Sequence, residues 1–247
     1  VNNYAYERNV SIQAYWDSAK AALNNNLGLN GRKPSDWKKF ETNIANDFMH
    51  NLKETKINPN QKYNPLRKSY NGKISIIRFL SELKEYDHNL VEWSRSLLSQ
   101  GRDEEAYFKL MRIRGIGPKI ATFWLRDICD AFLLDLKKLS YGGFVQPIDI
   151  WVYRAMLPLA SSLNKPLPEK LTSTNKSYWA AAELMIYAGE KIEVRHTELN
   201  SAIWIFGSQL MEAWGEDFSE ILEKPKGVEK FLKSVTDWQR MIDKCAS

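Results

Sequence analysis

The chain has 247 residues, with 35 lysines and arginines against 30 acids for a net charge of +5 and a pI near 9.0; it can bury one large core or two small helical lobes, and its basic balance fits a nucleic-acid partner. Two distant cysteines, Cys129 and Cys245, exclude an iron–sulfur cluster and a structural zinc site, and His50, His88 and His196 lack ligand spacing, so no metal and no cofactor is expected. With no apolar run long enough to span a bilayer and no charged-then-apolar leader, the expectation is an intracellular protein with no membrane partner; it starts at Val1 rather than methionine, so its native start is expected to be missing.

Apolar residues recur with helical spacing almost throughout and no strand-length alternation stands out, so the fold class is all-α. The spacing predicts helices near residues 9–27 and 35–54, the second preceded by Leu29-Asn30-Gly31-Arg32-Lys33-Pro34-Ser35-Asp36-Trp37. Between Glu54 and Glu82 there is no acid, while Lys56, Lys62, Arg67, Lys68, Lys73 and Arg78 all fall inside. Punctuated by Pro59, Pro65 and Gly72 and carrying Tyr63 and Tyr70, this stretch reads as a long basic loop, either facing a polyanion or simply solvated. Helices near 73–86, 88–100 and 103–113 follow, the last opened by Asp103-Glu104-Glu105.

The run Met111-Arg112-Ile113-Arg114-Gly115-Ile116-Gly117-Pro118-Lys119-Ile120-Ala121 then joins two helices through a glycine hairpin. Gly115 and Gly117 permit positive φ, and Pro118 pre-sets the first position of a helix predicted over 118–135. The amides that follow point outward at an anion, which makes Arg114, Gly115, Ile116 and Gly117 candidate DNA-phosphate contacts and places Lys119 just inside the helix. An ordinary elbow in a helical core has the same G-x-G spacing.

Downstream, Gln146-Pro147-Ile148-Asp149-Ile150-Trp151-Val152-Tyr153-Arg154 puts Asp149 at the N-cap of a helix over 149–163. Further helices are predicted near 176–190, 195–214 and 227–244. Trp16, Trp93, Trp124, Trp179, Trp214 and Trp238 are assigned to the core.

Together, I-R-G-I-G-P-K-I-A and I-D-I-W-V-Y-R resemble the paired signatures of the helix-hairpin-helix DNA glycosylases, L-P-G-[IV]-G-x-K-x-A and V-D-x-[HW]-[VI]-x-R; Arg114 stands where the family usually has proline. The resemblance covers about residues 29–210. It implies two helical lobes with an interlobe active-site cleft: a central barrel over 50–145 that carries the hairpin, and a second lobe in which 1–49 pairs with 146–247, the boundary falling at Tyr141-Gly142-Gly143. A lysine at this hairpin position marks bifunctional glycosylase/lyases, and lysine-bearing members without a cluster are mostly 8-oxoguanine enzymes. Thirty positions separate Lys119 from Asp149, and this long gap, with its surplus in residues 132–144, is similar to that of the archaeal-type 8-oxoguanine glycosylases. That subgroup implies a base pocket made of Phe123, one turn after Lys119, of Asn200 and Trp204 four apart on a late helix, and of Trp37 in the N-terminal signature.

Breaking an N-glycosidic bond passes through an oxocarbenium-like sugar and calls for a nucleophile at C1′ and a negative group to stabilise it. Lys119 and Asp149 are the candidates. A lysine at a helix N-terminus meets the positive end of the dipole, which favours the amine that must attack, whereas an N-cap carboxylate accepts backbone N–H groups and keeps its charge. The expected activity is base-excision DNA glycosylase with abasic-site lyase, acting as a monomer on duplex DNA with an oxidised base, 8-oxoguanine favoured. The alternatives are a glycosylase for another damaged base, a non-catalytic module that recognises DNA or abasic sites, and a helical scaffold with a fortuitous hairpin. On those last readings Lys119 is a solvent-facing lysine and Asp149 a simple cap.

Overall fold

The computed structural model describes residues 12–27, 34–54, 72–162, 165–168, 171 and 175–205. Among these the chain is all-α, and its one strand-like feature is an isolated parallel bridge between Ile74 and Ile113. The expected helix at 227–244, the end of that at 195–214, most of the 29–37 signature, the basic stretch at 55–71 and Cys245 lie outside the described residues. No helix of the described residues is long and apolar enough to cross a membrane.

The chain divides into two compact units, Val1–Ala121 with Lys138–Ser140, and Thr122–Lys137 with Tyr141–Ser247. This division differs from the lobes drawn above, because the N-terminal helices pack within the first unit. There α1 (Ile12–Leu27) sets Ala19 and Ala22 against Phe40, Ile44 and Phe48 of α2 (Trp37–Glu54), and Ile77 of α3 (Ile76–Glu82) completes the cluster. The stripe at every fourth residue of α2 is what an amphipathic helix buries. Asp36 caps α2, its Oδ1 accepting from the Lys39 N–H at 3.0 Å. Ser75 caps α3 by accepting from the Arg78 N–H at 3.0 Å, and donates its own proton to Glu41 Oε1 at 2.6 Å.

Helix α3 stops earlier than its apolar pattern suggests. A 3₁₀ turn over Lys84–Tyr86 leads to Asp87 and His88, both left-handed at φ 56° and 61°, and the His88 N–H returns to the Leu83 carbonyl at 2.9 Å. Asn89 then caps α4 (Leu90–Ser99), accepting from the Val91 and Glu92 amides. Gly101 takes φ +70°, and a Cβ there would lie 2.4 Å from the Lys138 carbonyl oxygen, so the turn into α5 (Asp103–Met111) needs glycine for both reasons. Fully buried Asp103 anchors the same region, its two oxygens accepting from the Ser140 N–H at 2.6 Å and the Ser140 hydroxyl at 2.9 Å. Phe79, Trp93, Leu97, Leu98, Leu110 and Ile113 are fully buried in this unit.

Helix α6 (Pro118–Ala131) carries the chain into the second unit. It ends four residues before the expected 135 because Leu133, at φ 49°, closes it: the Leu134 N–H bonds the Cys129 carbonyl at 2.9 Å and the Leu133 N–H that of Asp130 at 3.3 Å. The core of this unit joins Val152, Tyr153, Met156 and Ala160 of α7 (Ile150–Ser162) to Tyr178, Ala181, Ala182 and Met185 of α8 (Asn175–Lys191), with Leu199, Ile203 and Trp204 of α9 (His196–Ile205) packed against it. Thr197 at the start of α9 donates to Asp130 Oδ1 at 2.7 Å, fixing that helix start to the end of α6.

Candidate functional site

The turn between α5 and α6 is built from its backbone outwards. The Ile74 N–H donates to the Arg112 carbonyl at 2.9 Å and the Arg114 N–H to the Ile74 carbonyl at 2.8 Å, so residues on either side of Ile113 are clamped to the segment before α3. Lys73 Nζ donates to the Met111 carbonyl, a cation at the C-terminal end of α5. Gly115 is left-handed at φ +79°, and the Ile116 N–H closes the turn on the Ile113 carbonyl at 3.1 Å. Gly117, although glycine permits it, is not left-handed, because one reversal at Gly115 suffices to aim the chain into α6. Its carbonyl accepts the Ala121 N–H at 3.0 Å, which makes it the last residue before the helix, and a Cβ placed on it would meet nothing within 4 Å. The backbone at Gly117 is therefore open to close approach. Lys119 is half-buried at the second position of α6. Arg114 is buried at 6 % exposure, and of the four residues expected to contact phosphate, Arg114 and Ile116 already give their N–H groups to the Ile74 and Ile113 carbonyls.

In the second unit, Asp149 is the N-cap of α7: its Oδ1 accepts from the Trp151 and Val152 N–H groups, each at 3.0 Å, and the Tyr153 N–H bonds its carbonyl at 2.9 Å. The three residues before it are held atom by atom. Tyr178 Oη donates to the Gln146 carbonyl at 3.0 Å and accepts from the Ile148 N–H at 3.2 Å, and Asn200 Nδ2 donates to the Pro147 carbonyl at 3.2 Å. Beside it, the Gln146 side-chain amide faces His196 Nδ1 at 2.5 Å. Burial holds the His196 ring below its ordinary pKa, with the Arg195 charge adding to the effect, and a neutral ring nitrogen can accept that amide proton.

Three of the residues expected to line a base pocket come together. Phe123 and Trp204 touch edge to face, ring centroids 6.1 Å apart at 84°. Between Phe123 and Asn200 lies a residue that sequence reasoning missed, Arg126: its guanidinium stacks 4.1 Å from the Phe123 centroid and Nη1 donates to Asn200 Oδ1 at 3.1 Å. Nε and Nη2 both reach Asp127 Oδ1, at 3.1 and 2.8 Å. Arg126 is 5 % exposed although it carries a full charge. Its spacing could have pointed to it, since Lys119, Phe123 and Arg126 share one face of α6 at intervals of four and three.

Trp37, in the first unit, packs on its own surroundings, tilted over His88 at a centroid distance of 4.5 Å and edge-on to Phe40 at 5.9 Å. Among the described residues no cluster of three or more His, Cys, Asp or Glu could hold a metal ion.

No protein-family model matches the chain, and no solved structure matches it. A protein of Methanocaldococcus jannaschii described as uncharacterized protein MJECL21 is 26% identical over 146 residues, covering 52% of this chain and 32% of that protein. The chain thus spans about a third of the length of the relative it matches.

Proposed function

We propose that the protein is a base-excision DNA glycosylase with abasic-site lyase activity, monomeric on duplex DNA, with 8-oxoguanine as the favoured lesion. The observation that carries this reading is the turn from α5 to α6: a left-handed Gly115 and an uncovered Gly117 lead straight into a helix whose second residue is Lys119. Such a turn offers amides to a phosphate and a lysine to the adjoining sugar. The local features form a helix-hairpin-helix in this reading, and Asp149, held at the N-cap of α7, is its second chemical group.

The chemistry follows from the two groups. The Lys119 amine attacks C1′ of the damaged nucleotide and the N-glycosidic bond breaks, its electron pair leaving with the base as an anion that takes its proton from water. Asp149 stabilises the positive sugar and passes the proton lost by the lysine nitrogen to the ring oxygen, which opens the sugar to a Schiff base. Loss of a C2′ proton then expels the 3′ phosphate and nicks the strand. Arg126 and Asn200 supply polar atoms beside the Phe123 ring, the combination a flipped base requires.

One observation favours a second reading. One face of Phe123 is already covered by Arg126 and the ring stands T-shaped to Trp204, as in a protein that binds DNA or abasic sites without taking in a base. Borohydride reduction on an abasic duplex and on an 8-oxoguanine duplex separates the two. The enzyme gives a covalent adduct with both and releases base from the second, and Lys119→Gln abolishes both signals while leaving duplex affinity within about threefold. Adducts undiminished in that variant would overturn the Schiff-base assignment, and no adduct from the unaltered protein would leave the non-catalytic reading.

A further inference from the structure

Tyr178 is buried on α8 and lies far in sequence from every residue assigned a chemical role, yet its hydroxyl makes three hydrogen bonds. A phenol has one proton and two lone pairs. The proton goes to the Gln146 carbonyl at 3.0 Å; one lone pair takes the Ile148 N–H at 3.2 Å; the other faces Thr122 Oγ1 at 2.7 Å, so Thr122 is the donor there. The hydroxyl is saturated and every bond has a fixed direction. Two of the three hold the chain one and three residues before Asp149, and the third reaches α6 at Thr122, one turn beyond Lys119.

We propose that Tyr178 is the positioning residue for Asp149: by gripping the backbone of residues 146 and 148 and tying it to α6 at Thr122, it sets where the carboxylate sits relative to the helix that bears the lysine. This rests on the function proposed above. Residues 146–148 lie outside regular secondary structure and have no ladder of their own to hold them. Pro147, between the two gripped residues, has no N–H to give, so its carbonyl is held instead by Asn200 at 3.2 Å. The segment therefore depends on side chains from α8 and α9 for its path, and Tyr178 contributes two of the bonds to its backbone. The bonds of Asp149 Oδ1 to the α7 amides orient the carboxylate on its own helix but do not fix where that helix begins relative to α6. Asn200 reaches α6 as well, through Arg126, but the Tyr178 hydroxyl bonds both the segment on either side of Pro147 and α6 through a single atom.

Tyr178→Phe keeps the ring, which packs edge-on against Trp179 at 4.9 Å, and removes only the hydroxyl. The test is single-turnover base release from an 8-oxoguanine duplex with enzyme in excess, reading rate constant and amplitude separately, beside the Kd for the same duplex. Displacement of a reacting group by a fraction of an ångström lowers the rate constant by about tenfold or more. A fold defect lowers the amplitude and leaves the rate constant of the folded fraction alone.

The expected result is a rate constant down by at least about tenfold, with amplitude and Kd within about threefold of the unaltered protein. Introduced into Asp149→Asn, the change adds little further loss, since it acts through that carboxylate. A wild-type rate constant in folded Tyr178→Phe, or full additivity with Asp149→Asn, overturns the assignment. Should Tyr178→Phe not fold, Thr122→Val severs the α6 link alone and is expected to slow release severalfold; an unchanged rate there overturns it equally. Unaltered protein that releases no base overturns the proposed function and this assignment together, whereas an active protein indifferent to both variants overturns the assignment alone.

Discussion

The rings of Phe123 and Trp204 stand perpendicular, 84° apart with centroids 6.1 Å from each other. A base held between two aromatic faces needs them parallel and about 7 Å apart, one van der Waals contact on each side. Under the proposed function the pair opens before a base can stack between the two rings. Phe123→Ala and Trp204→Ala are expected to weaken binding to an 8-oxoguanine duplex by ~1–3 kcal/mol each while leaving affinity for an abasic duplex unchanged, as competition titrations would read. Equal losses on both duplexes, or a collapse of the melting transition, would assign the two rings to packing alone.

Asp149 caps α7, and the proposed function gives it a second, separable duty in base release. Asparagine keeps the Oδ1 acceptor that receives the Trp151 and Val152 amides, whereas alanine removes it. Asp149→Asn should leave stability nearly unchanged and Asp149→Ala should lower it by ~1 kcal/mol in urea unfolding. Both should reduce base release by orders of magnitude. An active Asp149→Asn protein would make the residue a cap and nothing more.

The two hairpin glycines should part company under substitution. Gly115 occupies the left-handed region at φ +79°, so Gly115→Ala is expected to cost about 1–2 kcal/mol of stability. Gly117 has room for a Cβ, and Gly117→Val should fold close to normally yet bind every duplex more weakly, lesion or not, because the added bulk stands where a phosphate approaches. Duplex affinity unaffected by Gly117→Val would remove the turn from the DNA interface.

His196 sets a pH dependence whose direction is fixed by its burial. Its folded-state pKa lies below the ordinary 6.5, so the unfolded chain takes up this proton at a higher pH than the folded one does. The stability it contributes is present in full above about pH 6.5 and is lost as pH falls through the folded value. Urea midpoints measured from pH 8 to 5 should decline more steeply for the unaltered protein than for His196→Gln. Parallel curves would mean that the ring protonates equally well folded and unfolded.

Helix positions were readable where the usual markers were present. Asp149 announced its helix start by a side chain that accepts a backbone N–H, and Asp36, Ser75 and Asn89, which were not singled out in the sequence, cap their helices in the same way. Helix ends were less legible. The end of α6 carries a leucine at the left-handed position where glycine would have been the signal, and that leucine is 79% exposed, so neither residue type nor burial gave it away. The sharp turn after α3 likewise rests on Asp87 and His88.

Within the candidate site, spacing along one helix put Phe123 on the Lys119 face and Trp204 one turn past Asn200. Arg126 and Tyr178 escaped because what matters about them is a partner far along the chain, Asn200 for one and residues 146–148 for the other. Pairing at such separations leaves no periodic trace in a single sequence. The packing of α1 and α2 against Ile77 left no trace of that kind either, since it is a matter of tertiary contact.

The clamp at Ile74 has a kinetic corollary for the proposed function. Lys56, Lys62, Arg67 and Lys68 precede it in the chain, and the backbone bonds of Ile74 to residues 112 and 114 fix the covalent exit of that stretch beside the Gly115 turn. If the turn engages a phosphate as proposed, any contact of those cations with the same duplex would be an intramolecular one, at an effective concentration above that of the bulk. Avidity of that kind would slow dissociation more than it speeds arrival, and it would fade as salt restores competing counterions.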